Sequence, residues 1–335
     1  MGLVDHLPRA PLGHFPTPLD PAPRLSAALG GPRILIKRED LSGLSAGGSK
    51  TRIFEFVLGD AKAEGATAVV ASAGEQSNKL REVAAGANKL GMKPILLLTG
   101  ISGPPQMTGN RFLFEVLGAD IHTTPIADRL DPKLRAELVR LCDTAAAEGH
   151  KPYLIYHPEK SGTIGTAAYM SCADELVTQF AALAEKPKHL FVTAGATPTI
   201  AGLTLGLRAL GQTIGVTGVA VSAPSAVLKA QALSYAKKCA DHVGLDRTLG
   251  ETDITIDDSH HVGTPAPATP AVIAAIEIFA RTEGILLEPT YTGKAAAGMI
   301  DAIRRGAFKP SDTIVFVHTG GLPGLFARIP EFNYA

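Results

Sequence analysis

The chain has 335 residues, of which 45% are hydrophobic, and its 32 basic residues balance its 32 acidic ones. A chain of this length exceeds the size at which one hydrophobic core usually stops growing, so we expect two domains. Because it has no basic tail, block of like charge or long apolar run, we expect neither a nucleic-acid partner nor a membrane partner.

The cysteines indicate a reducing environment. Cys142, Cys172 and Cys239 are far apart, odd in number and outside any CxxC motif, so we expect free thiols, and we assign no metal site. Residues 1–10 contain an aspartate and prolines instead of a basic segment followed by an apolar one, so they do not resemble a signal peptide. We therefore expect a cytoplasmic protein.

Short β-rich segments alternate with longer helical patterns along the chain. The predicted strands are 33–37, 66–72, 94–99, 120–123, 153–156, 189–194, 215–221 and 313–318. The predicted helices are 51–65, 78–90, 106–117, 134–148, 164–184, 200–210, 226–242, 270–283 and 294–305. Such alternation predicts an α/β protein with two open, twisted, mainly parallel sheets, each covered by helices on both faces. Residues 252–269 are predicted to be a long connecting loop.

Lys50 follows the glycine pair of the segment 46–52 and stands at the start of a predicted helix. The N-terminal end of a helix carries partial positive charge, which disfavours another cation and favours the neutral, nucleophilic amine. Such an amine is what Schiff-base chemistry on a carbonyl cofactor requires. The alternative is a solvated surface lysine that happens to follow two glycines.

Two further turns connect a predicted strand to a helix. The first, at 73–78, could place Ser77 or Asn78 as an ordinary N-cap, or could offer backbone N–H groups to a carboxylate. The second, at 193–202, is rich in small and hydroxylated residues that let the backbone approach an anion. It could equally be a bare connection, and Pro198 contributes no N–H.

The last two segments, 288–294 and 316–321, lie near the C-terminus. Tyr291 could be a core tyrosine or a site residue, and Lys294 could be a solvated helix residue. The hydroxyl of Thr319, at the end of the last predicted strand, could hydrogen-bond a ring nitrogen.

Taken in order, these segments resemble the pyridoxal-phosphate enzymes of fold type II, the tryptophan synthase β type. More narrowly they resemble the D-cysteine desulfhydrase and 1-aminocyclopropane-1-carboxylate deaminase family. The resemblance covers nearly the whole chain, from 15–19 through 37–41, 47–52, 76–78, 118–120, 195–202 and 291–294 to 318–321. It implies a large cofactor-binding domain of residues 1–48 and 162–335, a small domain of residues 49–161, an active site in the cleft between them, and a homodimer.

The resemblance also implies roles for individual residues. Lys50 matches the lysine that binds pyridoxal 5'-phosphate covalently, and Asn78 matches the residue that hydrogen-bonds the 3-hydroxyl of the cofactor. Ser77 and Tyr291 match catalytic residues close to the substrate, and Thr319 matches the hydroxyl that faces the pyridine nitrogen. The phosphate is implied to bind to the turn residues Gly195, Ala196, Thr197 and Thr199. The substrate is implied to bind to Gln76, Ser77, Asn78 and Tyr291.

The chain departs from the family pattern at positions that affect the choice of reaction. Residues 262–270 lack a second tyrosine that the family usually has, and Lys79 stands where a histidine is usual. Thr292 stands where the ring-opening deaminases have an acid beside the pyridine nitrogen. A hydroxyl at that nitrogen leaves the ring less electron-withdrawing, which suits elimination of a good leaving group. We therefore expect α,β-elimination from a small amino acid such as D-cysteine or L-cysteate, with release of pyruvate, ammonia and sulfide or sulfite.

Lys79 and Arg81 suggest a hypothesis about the substrate. Near a carboxylate-binding turn they could accept a second anionic group, as on cysteate. The alternative is that both cations lie on the solvent face of their helix.

Other functions remain open. They are a 1-aminocyclopropane-1-carboxylate deaminase, a β-replacement synthase on the same scaffold, and a non-catalytic binding protein that retains the fold. A nicotinamide-dependent dehydrogenase is disfavoured because no G-x-G-x-x-G opens a helix after any predicted strand.

Overall fold

The computed structural model describes residues 2–156, 160–261 and 266–334. The strands are β1 (Leu19–Pro21), β2 (Arg33–Lys37), β3 (Ala68–Gly74), β4 (Lys93–Thr99), β5 (Asp120–Thr124), β6 (Pro152–Ile155), β7 (His189–Ala194), β8 (Gly215–Ala220), β9 (Thr255–Asp257) and β10 (Thr313–Val317). The helices are α1 (Pro23–Leu29), α2 (Ser49–Ala63), α3 (Asn78–Lys89), α4 (Gly109–Val116), α5 (Pro132–Ala147), α6 (Lys160–Ala181), α7 (Pro198–Ala209), α8 (Ser225–Val243), α9 (Pro270–Glu283), α10 (Thr292–Arg304) and α11 (Leu322–Phe326).

The strands form two sheets. The smaller has the order β5-β4-β3-β6 and is parallel throughout. The larger has the order β1-β2-β10-β7-β8-β9 and is parallel except where β1 pairs with β2. Strands such as β10, whose residues are all buried, explain the continuous apolar runs in the sequence, because parallel sheets are covered on both faces. The predicted α/β fold class is therefore confirmed.

Every predicted strand is present, but the structure corrects some predictions. The segment 252–269, expected to be a loop, contains β9, which adds to β8 at the edge of the large sheet. Three residues are too few to show the alternation from which strands are predicted. β1 and α1 were missed for the same reason, since both are short. Residues 262–265, where the second tyrosine is missing, lie outside the described residues.

Helices α2, α6 and α7 fill the space between the two sheets. One hydrophobic cluster extends from the small sheet (Val69, Leu96) through α6 (Ala167, Met170) to the large sheet (Val192). The small sheet falls within residues 49–161 and the strands of the large sheet fall outside that range, although the domain boundaries themselves stay a prediction. Within the described residues, none of the helices is both long and apolar enough to cross a membrane.

Candidate active site

The candidate site is a cavity of about 340 Å³ between the two sheets. Loops after the carboxyl ends of β3, β4, β7, β8 and β10 reach it, as expected for ligand sites on parallel sheets. The residues that line it include Gly47, Gly48, Lys50, Ser72, Ser77, Asn78, Lys79, Arg81, Arg129, Tyr156, Thr193, Gly195, Ala196, Thr199, Ser222, Tyr291, Thr319, Gly320 and Gly321. Most of the predicted site residues are thus brought together.

Lys50 lies in the first turn of α2, which begins one residue earlier, at Ser49. The loop before it is fixed by contact with the loop after β10, since the Ser49 N–H donates to the Thr319 carbonyl at 2.9 Å. Burial lowers the pKa of Lys50 to about 8, and the Glu82 carboxylate partly opposes this effect. Burial is thus the main cause of the lowered pKa, whereas the sequence had indicated the partial charge of the helix end. Both effects favour the neutral amine that was predicted for Lys50.

Glu82, in α3, is fully buried and is the carboxylate whose charge acts on Lys50. Burial raises its pKa to about 7, while Arg81 acts in the opposite direction. The Glu82 carboxylate accepts hydrogen bonds from the Arg81 guanidinium at 2.8 Å and from the Thr51 hydroxyl at 3.0 Å. The sequence analysis missed Glu82, and only its spacing along the buried face of α3 could have indicated it.

Asn78 is held in one orientation by two donors. Its Oδ1 accepts from the Arg81 guanidinium at 2.7 Å and from the Asn110 side chain at 2.9 Å. The carbonyl oxygen is therefore occupied, and the Asn78 NH2 group is left to donate into the cavity. Ser77 caps α3, because its hydroxyl accepts the Leu80 N–H at 3.3 Å, and it also lines the cavity.

Gln76 does not line the cavity in the described structure. Its side-chain NH2 donates to the Thr108 carbonyl at 3.0 Å, and its Oε1 accepts the Asn110 N–H at 2.9 Å. The side chain thus fixes the beginning of α4. The Gln76 backbone carbonyl accepts the Asn110 side chain at 2.9 Å, and the predicted contact of Gln76 with substrate stays a prediction.

The turn from β7 into α7 forms the opposite wall. Gly195, Ala196 and Thr199 line the cavity, with Thr199 in the first turn of α7. Thr197 is buried away from the cavity, and its hydroxyl donates to the Gln231 side chain at 3.3 Å. Ser222, after β8, donates to the Gly195 carbonyl at 3.0 Å and so supports the turn.

Thr319 and Tyr291 complete the wall that belongs to the large sheet. The Thr319 hydroxyl lies 3.4 Å from that of Thr193, at the ends of neighbouring strands. Tyr291 lies against Gly195, where an added Cβ would be 3.6 Å from its Cε1. Burial raises the pKa of Tyr291 to about 12, with a smaller contribution from Glu288, so the side chain is a neutral phenol at physiological pH.

Lys79 and Arg81 do not lie on a solvent face, so that alternative is wrong. Arg81 is 1% exposed and its guanidinium is bound by Glu82, Asn78, Asn110 and the Gly47 carbonyl. Lys79 reaches the cavity, where its Nζ donates to the Ser72 carbonyl at 3.0 Å.

Several residues that line the cavity were missed in the sequence, among them Ser72, Arg129, Tyr156 and Ser222. Ser72 is in β3, Tyr156 directly follows β6 and Ser222 is two residues after β8, so the rule that ligands meet the carboxyl ends of strands could have found them. Arg129 follows β5 in an irregular segment and carries no local signal.

The residues present fit the expected pyridoxal phosphate. The Lys50 amine, the free Asn78 NH2 and the Thr319 hydroxyl are donors or acceptors for its aldehyde, 3-hydroxyl and ring nitrogen. The turn before α7 offers small residues and a helix N-terminus to the phosphate. Gly48 and Gly320 let the loop before Lys50 and the loop after Thr319 approach at backbone contact, because a Cβ on Gly320 would be 2.5 Å from the Cα of Gly48. Within the described residues, no group of three His, Cys, Asp or Glu could hold a metal ion.

Comparisons with known proteins agree with the site. A family model described as "Pyridoxal-phosphate dependent enzyme" matches residues 10–320. The chain is 36% identical over 339 residues to a 1-aminocyclopropane-1-carboxylate deaminase of Burkholderia ambifaria (strain MC40-6), covering 98% of this chain and 99% of that protein. It is also 36% identical over 333 residues to the protein of the same name from Burkholderia cenocepacia (strain J2315), covering 97% of each.

A solved structure extends the likeness to the fold. A crystal structure described as that of an ACC deaminase homologue superposes with a TM-score of 0.86 at 31% identity, covering 98% of this chain and 96% of that one. The resemblance inferred from the motifs and the cofactor it implied are both confirmed. The chain belongs to the pyridoxal-phosphate-dependent enzymes of fold type II, in the family that includes the D-cysteine desulfhydrases and the 1-aminocyclopropane-1-carboxylate deaminases.

Proposed function

We propose that this enzyme catalyses α,β-elimination on a small amino acid with a leaving group on its β-carbon, such as D-cysteine or L-cysteate. The products are pyruvate, ammonium and the released group, sulfide or sulfite. A cytoplasmic location and a homodimeric assembly form part of the same proposal.

One observation carries the proposal: no carboxylate is among the described residues that line the cavity. Thr292, at the position where an acid is expected in the ring-opening enzymes, is buried, and its hydroxyl accepts the Glu288 N–H at 3.0 Å. At the ends of β7 and β10, the hydroxyls of Thr193 and Thr319 are the groups available to a ring nitrogen among the described residues that line the cavity. A hydroxyl does not hold that nitrogen protonated as a carboxylate does, which favours a reaction with a good leaving group.

The side chains of the cavity supply the other requirements. The cofactor, when bound, supplies the electron sink for the bonds that break at the substrate. The Lys50 amine is the base for the α-proton, because its lowered pKa keeps a fraction neutral at physiological pH. The turn around Ser77 offers N–H groups to the substrate carboxylate, and the neutral Tyr291 phenol can donate a hydrogen bond inside the cavity.

Ring opening of 1-aminocyclopropane-1-carboxylate is the second candidate, because the curated relatives bear that enzyme's name. This substrate has no α-proton, and its conversion with water gives a four-carbon 2-oxo acid instead of pyruvate. The two candidates therefore differ in product as well as in substrate.

A substrate panel on the purified holoenzyme tests the proposal. We expect pyruvate from at least one of D-cysteine, L-cysteate and β-chloroalanine, and no 2-oxo acid from 1-aminocyclopropane-1-carboxylate. Lys50→Ala serves as the inactive control. A four-carbon 2-oxo acid as the main product would reverse the choice. A thioether formed with added thiol in place of pyruvate would indicate a β-replacement synthase, and no turnover with a bound cofactor would indicate a binding protein.

A further inference from the structure

Two cations on the wall that belongs to the small sheet are not explained by the cofactor. Lys79 is in the first turn of α3, and Arg129 follows β5; both line the cavity. The Tyr156 hydroxyl donates to the Arg129 carbonyl at 2.9 Å, which fixes the backbone that presents the guanidinium. Both side chains thus face the same cavity, and there the charge of Arg129 adds to burial and to the charge of Lys50 in lowering the pKa of Lys79 to about 8.

The two cations also lack counter-charges. Arg81 is paired with Glu82 at 2.8 Å, and Lys50 interacts with the same carboxylate. In the described part of the chain, no carboxylate forms an ion pair with Lys79 or Arg129. The Nζ of Lys79 has a single hydrogen bond, to the Ser72 carbonyl. Lys79 is partly buried and Arg129 is exposed to solvent, and positive charge concentrated in a cleft attracts anions.

The phosphate of the cofactor does not account for this charge. Its expected cradle, Gly195 to Thr199, begins at the carboxyl end of β7 in the large sheet, and Ser222 supports it from there. Lys79, in α3, and Arg129, after β5, instead belong to the elements around the small sheet, where Lys79 contacts Ser72 and Arg129 contacts Tyr156. The pair is thus placed for a second anion that enters with the substrate.

We propose that Lys79 and Arg129 bind an anionic β-substituent of the substrate, such as a sulfonate. This inference rests on the proposed elimination and narrows its substrate class. Arg129 supplies a planar donor suited to a tetrahedral oxyanion, and Lys79 supplies a point charge beside it.

The reaction balances with water as the only other reactant. The Cα–H bond breaks and its proton passes to the Lys50 amine; the Cβ–S bond breaks and its electron pair leaves with the sulfur as sulfite. The remaining unsaturated amine takes up water and gives pyruvate and ammonium. Because negative charge accumulates on the departing group, the two cations stabilise the transition state as well as the bound substrate.

The test compares two substrates in matched variants of the holoenzyme. Lys79→Gln and Arg129→Gln each remove one cavity charge, Arg129→Lys keeps it, and Lys62→Gln removes an exposed lysine in the last turn of α2. The kcat/KM for both enantiomers of cysteate is divided by that for β-chloroalanine, whose leaving group interacts less strongly with cations. The affinity of each apoenzyme for pyridoxal phosphate is measured in parallel.

We expect each glutamine variant to lower the cysteate-to-chloroalanine ratio by about 10-fold or more, since a hydrogen bond to a charged group contributes roughly 1.5–3 kcal/mol. Arg129→Lys should retain most of the ratio, and Lys62→Gln should leave it unchanged. The affinity for pyridoxal phosphate should be the same in all four variants. Equal losses on both substrates, or a loss of cofactor affinity, would overturn the inference. Turnover of β-chloroalanine but not of cysteate by the unmodified enzyme would also overturn the inference, while the proposed elimination would stand. Absence of pyruvate from every substrate would instead count against the proposed function itself.

Discussion

Lys50 and Glu82 form a buried pair whose charges depend on each other. Burial disfavours the charged form of each, which lowers the pKa of the amine and raises that of the carboxyl. At pH 7 a lysine with a pKa of about 8 is roughly one-tenth neutral, against about one part in 3,000 for an ordinary lysine. The site thus holds a usable fraction of nucleophile near neutrality.

The first prediction is a pH dependence of cofactor binding. Because only the neutral Lys50 amine reacts, the rate of pyridoxal phosphate binding by the apoenzyme should rise with pH, with a midpoint near 8, and level off above about 9. Glu82→Gln should move the midpoint to lower pH, since the Glu82 carboxylate raises the pKa of Lys50. Stopped-flow absorbance measures the rate, with a free lysine derivative as reference. A rate that keeps rising beyond pH 9.5 would contradict the prediction.

The second prediction concerns Gly320. Its φ of +84° is in the left-handed region, and an added Cβ would be 2.5 Å from the Cα of Gly48. Gly306 has a similar φ of +75° but has nothing within 4 Å of such a Cβ. Both alanine variants should lose about 1–2 kcal/mol from the backbone conformation. Only Gly320→Ala should lose more and also bind less cofactor, because it displaces the loop before Lys50. Urea denaturation and bound-cofactor absorbance measure the two effects, and equal behaviour of the variants would refute the steric explanation.

At the scale of elements, α10 owes its position to the carboxylate of Glu288. This buried side chain accepts the backbone N–H groups of Thr290 at 2.8 Å, Tyr291 at 2.7 Å and Thr292 at 2.9 Å. It satisfies donors that a helix N-terminus leaves without partners, and its charge suits the helix dipole. The same hydrogen bonds fix the backbone from which Tyr291 enters the cavity.

The third prediction follows from this cap. Glu288→Ala leaves three N–H groups without their acceptor, so we expect a loss of about 1–3 kcal/mol in unfolding free energy. It should also lower kcat/KM, because Tyr291 is displaced. The control is Thr269→Ala, which removes the N-cap of α9, where the hydroxyl accepts the Val272 N–H at 3.4 Å. That variant should lose a comparable amount of stability, about 0.5–2 kcal/mol, without the loss of activity. Equal activity in both variants would show that the cap does not position Tyr291.

At the scale of the whole molecule, a buried ion network joins α2 to the elements around it. Arg52, two residues after Lys50, binds Glu39 at 2.7 Å and Glu175 of α6 at 2.7 Å. Burial by itself would raise the pKa of Glu39, but Arg52 lowers it to about 2. The Tyr169 hydroxyl also donates to Glu39, at 3.2 Å. The network fixes the helix that carries Lys50 against both the large sheet and α6.

The fourth prediction tests this network. Arg52→Ala removes the ion-pair partner of the buried Glu39 carboxylate, which typically costs about 3–5 kcal/mol, whereas Glu175 keeps its ion pair with Lys37 at 2.9 Å. As a control, Asp241→Ala breaks the exposed pair with Lys237 and should cost less than about 1 kcal/mol. Urea unfolding followed by circular dichroism compares the two variants. A cost for Arg52→Ala as small as that of the surface variant would show that the network adds little to the stability of the fold.

The homodimer stays a prediction, since nothing in a single chain tests it. Sedimentation equilibrium of the holoenzyme would decide between a monomer and a dimer.

The sequence alone determined most of the strands and helices in their order, the family and many of the residues around the cavity. It could do so because hydrophobic periodicity is local, and because Lys50, Asn78 and Thr319 stand in turns whose composition is unusual. Only the tertiary structure decided how those residues are charged and what they face. Burial set the pKa of Lys50, the Arg81 network oriented Asn78, Gln76 was turned towards α4, and Arg129 was brought to the same cavity as Lys79. Desolvation and charge pairing depend on segments far apart in the chain, and no local pattern records which of them will meet.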